Sequence, residues 1–185
     1  RMRIKWFSLI RITGLLLVLL YHFFQTIFPG GFFGVDVFFT FSGFLITSLL
    51  LEEFGKARQI DLLGFFKRRF YRIVPPVVLM VLVTMPFTFL VRQDYVAGIG
   101  GQIAGVLGFM TNFYEMLTGG SYESQFIPHL FVHNWSLAVE VHYYILWGLA
   151  VWFLSKRSKS SSQLRGMVFL LSAGAFIISF FSWCV

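Results

Sequence analysis

Charge is scarce in this sequence. Only 12% of the 185 residues are Asp, Glu, Lys or Arg, against roughly a quarter in an average soluble domain, and the stretch from Gly166 to Val185 carries none at all. Such a chain lacks the polar skin that water requires. Cysteine is scarcer still: Cys184 stands alone, which excludes an intramolecular disulfide and any multi-cysteine metal site but says nothing about compartment. There is no internal repeat and no low-complexity segment beyond the short polar stretch Ser158 to Ser162. A basic start followed by an apolar run resembles a secretory signal, yet the run from Leu15 ends in Pro29-Gly30-Gly31 without a small-x-small cleavage site. It is expected to stay in place as a signal anchor.

What is present is apolar. Hydrophobic residues make up 57% of the chain and 25 of them are Phe, more bulky side chain than one soluble core of this size can hide. The expected fold is therefore all-α, a polytopic transmembrane helix bundle with the lipid bilayer as its solvent. The net charge of +7 does not indicate a nucleic-acid partner, because the basic residues are confined to clusters between apolar runs. Arg1, Arg3, Lys5 and Arg11 form the first, Lys56, Arg58, Lys67, Arg68, Arg69 and Arg72 the second, and Lys156, Arg157, Lys159 and Arg165 the third. Only Arg92 lies outside them. Retention of Lys and Arg in short cytoplasmic loops produces this pattern and puts the amino terminus in the cytoplasm of a cell-membrane protein.

A hydrocarbon core about 30 Å thick needs about 20 helical residues. By length and flanking charge, spans are expected at about Trp6 to Phe28, Phe33 to Leu51, Ile73 to Val91 and Trp135 to Leu154, with a fifth from about Gly166 to Val185. The last has no closing charge, so the chain is expected to be an incomplete part of a larger bundle. Residues 52–72 alternate basic side chains with Leu62, Leu63, Phe65 and Phe66 and are expected to form an amphipathic cytoplasmic segment on the inner leaflet. Pro75 and Pro76 suit the first turn of the third span. Parity requires the region from Arg92 to Asn134 to begin and end outside. Its glycine-rich stretch, about Val96 to Phe113, is either re-entrant or surface-lying, or makes two short tilted crossings.

Ionisable groups within the bilayer are costly and mark function, which singles out Arg11, His22, Asp36 and Glu140. Arg11 by itself is equally a snorkelling cation. Its spacing from His22 argues for more, since eleven residues are three turns plus about 20°, placing both on one face about 16 Å apart. His22 by itself is more often a hydrogen-bonded structural residue. Its depth, however, matches Asp36 at the outer start of the second span and Glu140 five residues into the span from Trp135. A neutral His oriented by a carboxylate is a general base for a hydroxyl nucleophile; a proton-relay or transport site uses the same residue types. Arg69 and Arg72, three apart, share a helix face at the cytoplasmic mouth, where guanidinium forks chelate phosphate; lipid headgroups are the plainer partner. His129, His133 and His142 have no ligand-like spacing with a carboxylate, and no metal site is expected.

Four motifs stand in order along the chain: Arg11, ten residues, then His22 within LLYHF; GVDVFFTFSGFL from Gly34; RFYRIVP from Arg69; and WSLAVE from Trp135 to Glu140. Together they resemble the membrane acyltransferase-3 family over almost the whole chain, and most of all the membrane part of Gram-positive peptidoglycan O-acetyltransferases. The resemblance implies transfer of an acetyl group from cytoplasmic acetyl-CoA, a substrate and not a bound cofactor, to a hydroxyl of an extracytoplasmic glycan. Peptidoglycan is the favoured acceptor, and another surface polysaccharide the next. By motif position it implies His22 as base or acyl relay, Arg11, Arg69 and Arg72 on the CoA phosphates or donor side, and Glu140 supporting the outer site. It also implies a following extracellular SGNH-type domain as partner in transfer. Ser8-Leu9-Ile10 before Arg11 and His142 after the glutamate depart from the family's usual residues. The alternative from a different class is a non-enzymatic transporter or flippase of the acyl donor or of a lipid-linked sugar.

Overall fold

The structure is a computed structural model, and it describes residues 12–14, 16–20, 24, 33–90, 98–118 and 130–183. The elements are α1 Phe33–Ala57, α2 Leu62–Thr84 running into a 3-10 segment Met85–Leu90, α3 Ile99–Leu107, α4 Thr111–Thr118, a 3-10 turn Val132–Asn134, α5 Trp135–Arg157 and α6 Ser161–Trp183. No strand occurs among the described residues. Among the described residues, four stretches are long and apolar enough to cross a membrane: Phe33–Ala57, Leu62–Thr88, Trp135–Arg157 and Ser161–Ser182. The chain is an all-α, multi-pass membrane bundle, as its composition requires. Of the span expected at 6–28, residues 12–14 and 16–20 are described and are helical, Phe24 is described and exposed, and the rest lies outside the described residues.

The chain divides into two compact units, Arg1–Glu52 and Glu53–Val185. In the first, glycine sets how closely helices approach. A Cβ on Gly34, in the first turn of α1, would lie 2.8 Å from the Gly14 carbonyl oxygen and 2.8 Å from the Val18 Cγ2. The Phe38 ring, one turn further on, covers Gly14. Small residues at such crossings let membrane helices pack where lipid offers no hydrophobic drive to associate.

The second unit opens on a turn built by polar groups. Arg58 adopts a left-handed φ of 57° just past the end of α1, the usual way to stop a helix, though normally done by glycine. Glu53 then ties the turn together: its Oε1 accepts from the Asp61 N–H at 2.9 Å and its Oε2 from Arg68 at 3.1 Å. Asp61 caps α2 by accepting from Gly64 N–H at 2.9 Å. Residues 52–72 are therefore not a separate amphipathic segment but the end of α1, a tight turn and the first turns of α2. Asp61, not the prolines, starts the helix. Pro75 and Pro76 lie inside α2, where they withhold the N–H groups that the Tyr71 and Arg72 carbonyls would receive. The helix continues because neighbouring helices tolerate such breaks at membrane depth, whereas an open irregular segment in lipid would expose far more backbone.

Removing the Glu53 carboxylate by Glu53→Ala should lower stability by about 1 kcal/mol, nearly all from the lost acceptor for the Asp61 N–H. The half-exposed Arg68 contributes little. Arg58→Gly should act in the opposite direction, relieving about 1 kcal/mol of left-handed strain. Thermal unfolding of the detergent-solubilised protein would separate the two signs.

α2 and α5 run antiparallel. Phe65, only 1% exposed, packs on α5 where a Cβ at Gly148 would meet its ring at 3.1 Å. At the other end, Val77 and Val81 of α2 gather with Val106 and Phe131, and Ile73 and Leu137 pack against that cluster. The buried face of α5, Tyr144, Gly148, Val151 and Ser155, repeats at intervals of four, three and four, the stripe of a helix facing helices. α6 packs on α5, with Leu164 and Val168 buried.

α3 and α4 have nine and eight residues, about 13 and 12 Å at 1.5 Å per residue, and neither can cross a 30 Å core alone. They form a tight hairpin in which Met110 N–H donates to the Gly105 carbonyl at 2.7 Å. Three glycines of this stretch have a common cause. The Tyr114 side chain lies across Gly98, Gly101 and Gly105, and a Cβ at Gly98 or Gly101 would come within 2.8 Å of it. Gly98 also takes a left-handed φ of 64°. The hairpin is seated on α2 and α5 through Ile99, Ile103 and Val106.

Candidate active site

Glu140 lies in the second turn of α5 and accepts a hydrogen bond from the Tyr144 hydroxyl, one turn along the same face. Tyr144 is buried, so its phenol aims the carboxylate from within the bundle. Two packing points fix the register of α2 beside this pair: Phe65 against Gly148, and Ile73 with Val77 in the cluster that Leu137 joins. Arg69 is four residues beyond Phe65 and Tyr144 four before Gly148, so each lies about 6 Å from that contact, on the facing stripes and at one height. Arg69 also sets its guanidinium 5.7 Å from the Phe65 ring centroid and is only partly exposed. Arg69, Tyr144 and Glu140 each make further interactions. A cation, a phenol and a carboxylate are thus stacked within about two helical turns along the α2–α5 pair.

The other expected residues are distributed differently. Arg72 is exposed on α2, about 60° round the helix from Arg69. Asp36 belongs to the other unit, exposed in the first turn of α1, where a carboxylate also complements the positive end of the helix dipole. Arg11 and His22 lie outside the described residues. His142, on the face of α5 away from Glu140, rests against Phe113 of α4 with centroids 5.6 Å apart. The structure also brings in polar groups that the sequence reading passed over: Gln102, Thr111 and Glu115 are 1%, 2% and 6% exposed. Gln102 accepts from the Phe131 N–H at 3.3 Å and so closes the base of the hairpin. The available signal was Glu115 itself, a carboxylate inside an apolar, glycine-rich stretch.

If Glu140 is held by Tyr144, Tyr144→Phe should keep the charge but loosen its aim, whereas Glu140→Gln removes the charge. For an enzyme site the expected order of activity is wild type, then Tyr144→Phe lower by about tenfold, one hydrogen bond's worth, then Glu140→Gln lower by about a hundredfold or more. Equal activity of all three in matched membranes would remove the pair from the site.

The acyltransferase domain of the acyltransferase-3 family matches residues 4–184. The chain belongs to that family. Among its relatives, the protein named O-acetyltransferase OatA of Staphylococcus aureus (strain NCTC 8325 / PS 47) is 34% identical over 166 residues, which is 89% of this chain and 28% of the relative. The OatA of strain MRSA252 matches to the same extent. A further Staphylococcus aureus protein (strain COL), named provisionally as an O-acetyltransferase, is 35% identical over 136 residues, 74% of this chain and 22% of its own length. The chain therefore spans little more than a quarter of the OatA relatives and less than a quarter of the third. No solved structure matches it. Within an acyltransferase-3 domain, the stacked Arg69, Tyr144 and Glu140 join two of the sequence motifs, RFYRIVP and WSLAVE, through one helix pair.

Proposed function

We propose that this chain is the membrane part of an O-acetyltransferase that takes an acetyl group from cytoplasmic acetyl-CoA and passes it towards a hydroxyl of an extracytoplasmic glycan, with peptidoglycan the favoured acceptor. The observation that carries this reading is the register of α2 on α5, which sets Arg69 level with Tyr144 and one turn from Glu140. An anion-binding guanidinium beside a carboxylate held in place suits a reaction in which a phosphate-bearing donor and a hydroxyl acceptor meet. Arg11, Arg69 and Arg72 take the donor's phosphates. His22 accepts the acceptor's proton as its oxygen bonds the thioester carbonyl carbon. The carbon–sulfur bond then breaks, and the proton passes to the departing thiolate. Asp36 and Glu140 are the carboxylates that orient the outer groups, and no bound cofactor is needed, since acetyl-CoA enters as substrate. The relatives named O-acetyltransferase support the reaction class. Delivery to the glycan is completed by an SGNH-type domain where one follows in the same protein, and the amino terminus faces the cytoplasm.

Cells lacking their own O-acetyltransferase, given the full-length gene, should gain alkali-releasable acetate on purified peptidoglycan. Acetate on a different surface polysaccharide would move the acceptor. No new ester on any glycan, with acyl donor or lipid-linked sugar moved across the membrane, would overturn the reading in favour of transport.

A further inference from the structure

We propose that the α3–α4 hairpin is an acceptor subsite that holds a hydroxyl-bearing sugar ring through the side chains of Thr111 and Asn112. This rests on the acyl-transfer reading above. The Thr111 Oγ1 and the Asn112 Oδ1 are buried and have no hydrogen-bond partner among the described residues, and Thr111 is only 2% exposed. Buried polar atoms are nearly always satisfied, and each exception calls for a reason. Two adjacent ones on a short helix are explained by a partner that comes and goes.

The chemistry of the face selects that partner. Glu115 is one turn beyond Thr111, about 6 Å along the same face, and is 6% exposed. Its carboxylate disfavours an anion. The carboxylate and the amide oxygen both accept hydrogen bonds, and the threonine hydroxyl can accept or donate. Such a set calls for O–H donors, which a sugar ring presents in rows. The face is also held rigid on two sides: Tyr114 lies across the glycines of α3, and Phe113 rests against His142 of α5. A site whose supporting side chains are locked loses less freedom on binding. The His142 contact places α4 beside the second turn of α5, on the face away from Glu140.

The test uses the full-length protein purified in detergent and a β-1,4-linked N-acetylglucosamine tetramer as probe, with binding followed by saturation-transfer NMR. Thr111→Val keeps the shape and removes the hydroxyl; Thr111→Ser keeps the hydroxyl. Wild type and Thr111→Ser should bind alike, and Thr111→Val about tenfold more weakly. Without sugar, Thr111→Val should unfold at the same temperature as wild type or higher, because it removes an unsatisfied group. No binding by wild type, equal binding by Thr111→Val, or a large fall in its unfolding temperature would overturn the proposal, the last because it would mean that the hydroxyl is structural and satisfied. Ester formation measured in parallel separates the two claims. Predicted binding without any ester leaves the subsite standing and sinks acyl transfer; ester formation with equal binding does the reverse.

Discussion

His22→Ala is expected to abolish acetyl-ester formation while the protein remains in the membrane at wild-type abundance. A positioned base contributes about 10²- to 10⁴-fold to a proton transfer, and an imidazole is the side chain whose unperturbed charge change lies nearest neutral pH. Of the four ionisable residues singled out within the bilayer, Arg11, His22, Asp36 and Glu140, it is the one imidazole. The contrast with Arg69→Ala makes the prediction specific. Loss of the guanidinium should raise the KM for acetyl-CoA before it lowers the maximal rate, because it removes binding to a part of the donor that does not react. Initial rates in membranes matched for protein amount would distinguish the two patterns. A His22→Ala rate within tenfold of wild type would rule out base chemistry at that position.

Gly34→Ala, the smallest substitution possible, should destabilise the protein by about 1–3 kcal/mol. The new methyl would lie 2.8 Å from the carbonyl oxygen of Gly14, a backbone atom of the neighbouring helical segment, and 2.8 Å from a Val18 methyl. Backbone cannot rotate aside, so the two helices must separate. Helix propensity pulls the other way, by up to about 1 kcal/mol for glycine to alanine, and is outweighed. Gly55 and Gly174 isolate that opposing term, since a Cβ at either meets nothing within 4 Å. Gly55→Ala and Gly174→Ala should therefore raise the unfolding temperature, and Gly34→Ala should lower it. Equal shifts in all three would mean that the Gly14–Gly34 crossing does not hold the first unit together.

The spans were legible because lipid imposes a length. Trp135 opens α5 as its run of apolar residues indicates. The beginning of α2 was misread for a physical reason. Pro75-Pro76 is permissive at a first turn but equally tolerated inside a membrane helix, whereas Asp61, with its side chain on the Gly64 N–H, is a true start signal in a stretch whose basic residues drew attention to the membrane surface. At the site, Glu140 stands out as a charge in apolar surroundings and Arg69 by its spacing from Arg72 in a basic cluster, and their motifs are readable. Their common height was not, because it depends on Phe65 meeting Gly148 across the bundle. Thr111, Asn112 and Glu115 went unnoticed because eight- and nine-residue helices are too short to declare a period. Gln102 finds its partner, the Phe131 N–H, 29 residues away, and no local pattern announces that.

The central claim is that acetyl from a cytoplasmic donor becomes an ester outside, and isotope tracing tests it most directly. Inside-out membrane vesicles carrying the full-length protein, with glycan enclosed in the lumen, would be given acetyl-CoA labelled with ¹³C in the acetyl group. Labelled, alkali-releasable acetate should appear on the enclosed glycan and be lost with His22→Ala. Labelled acetyl-CoA or free acetate in the lumen, with no ester on the glycan, would contradict that claim.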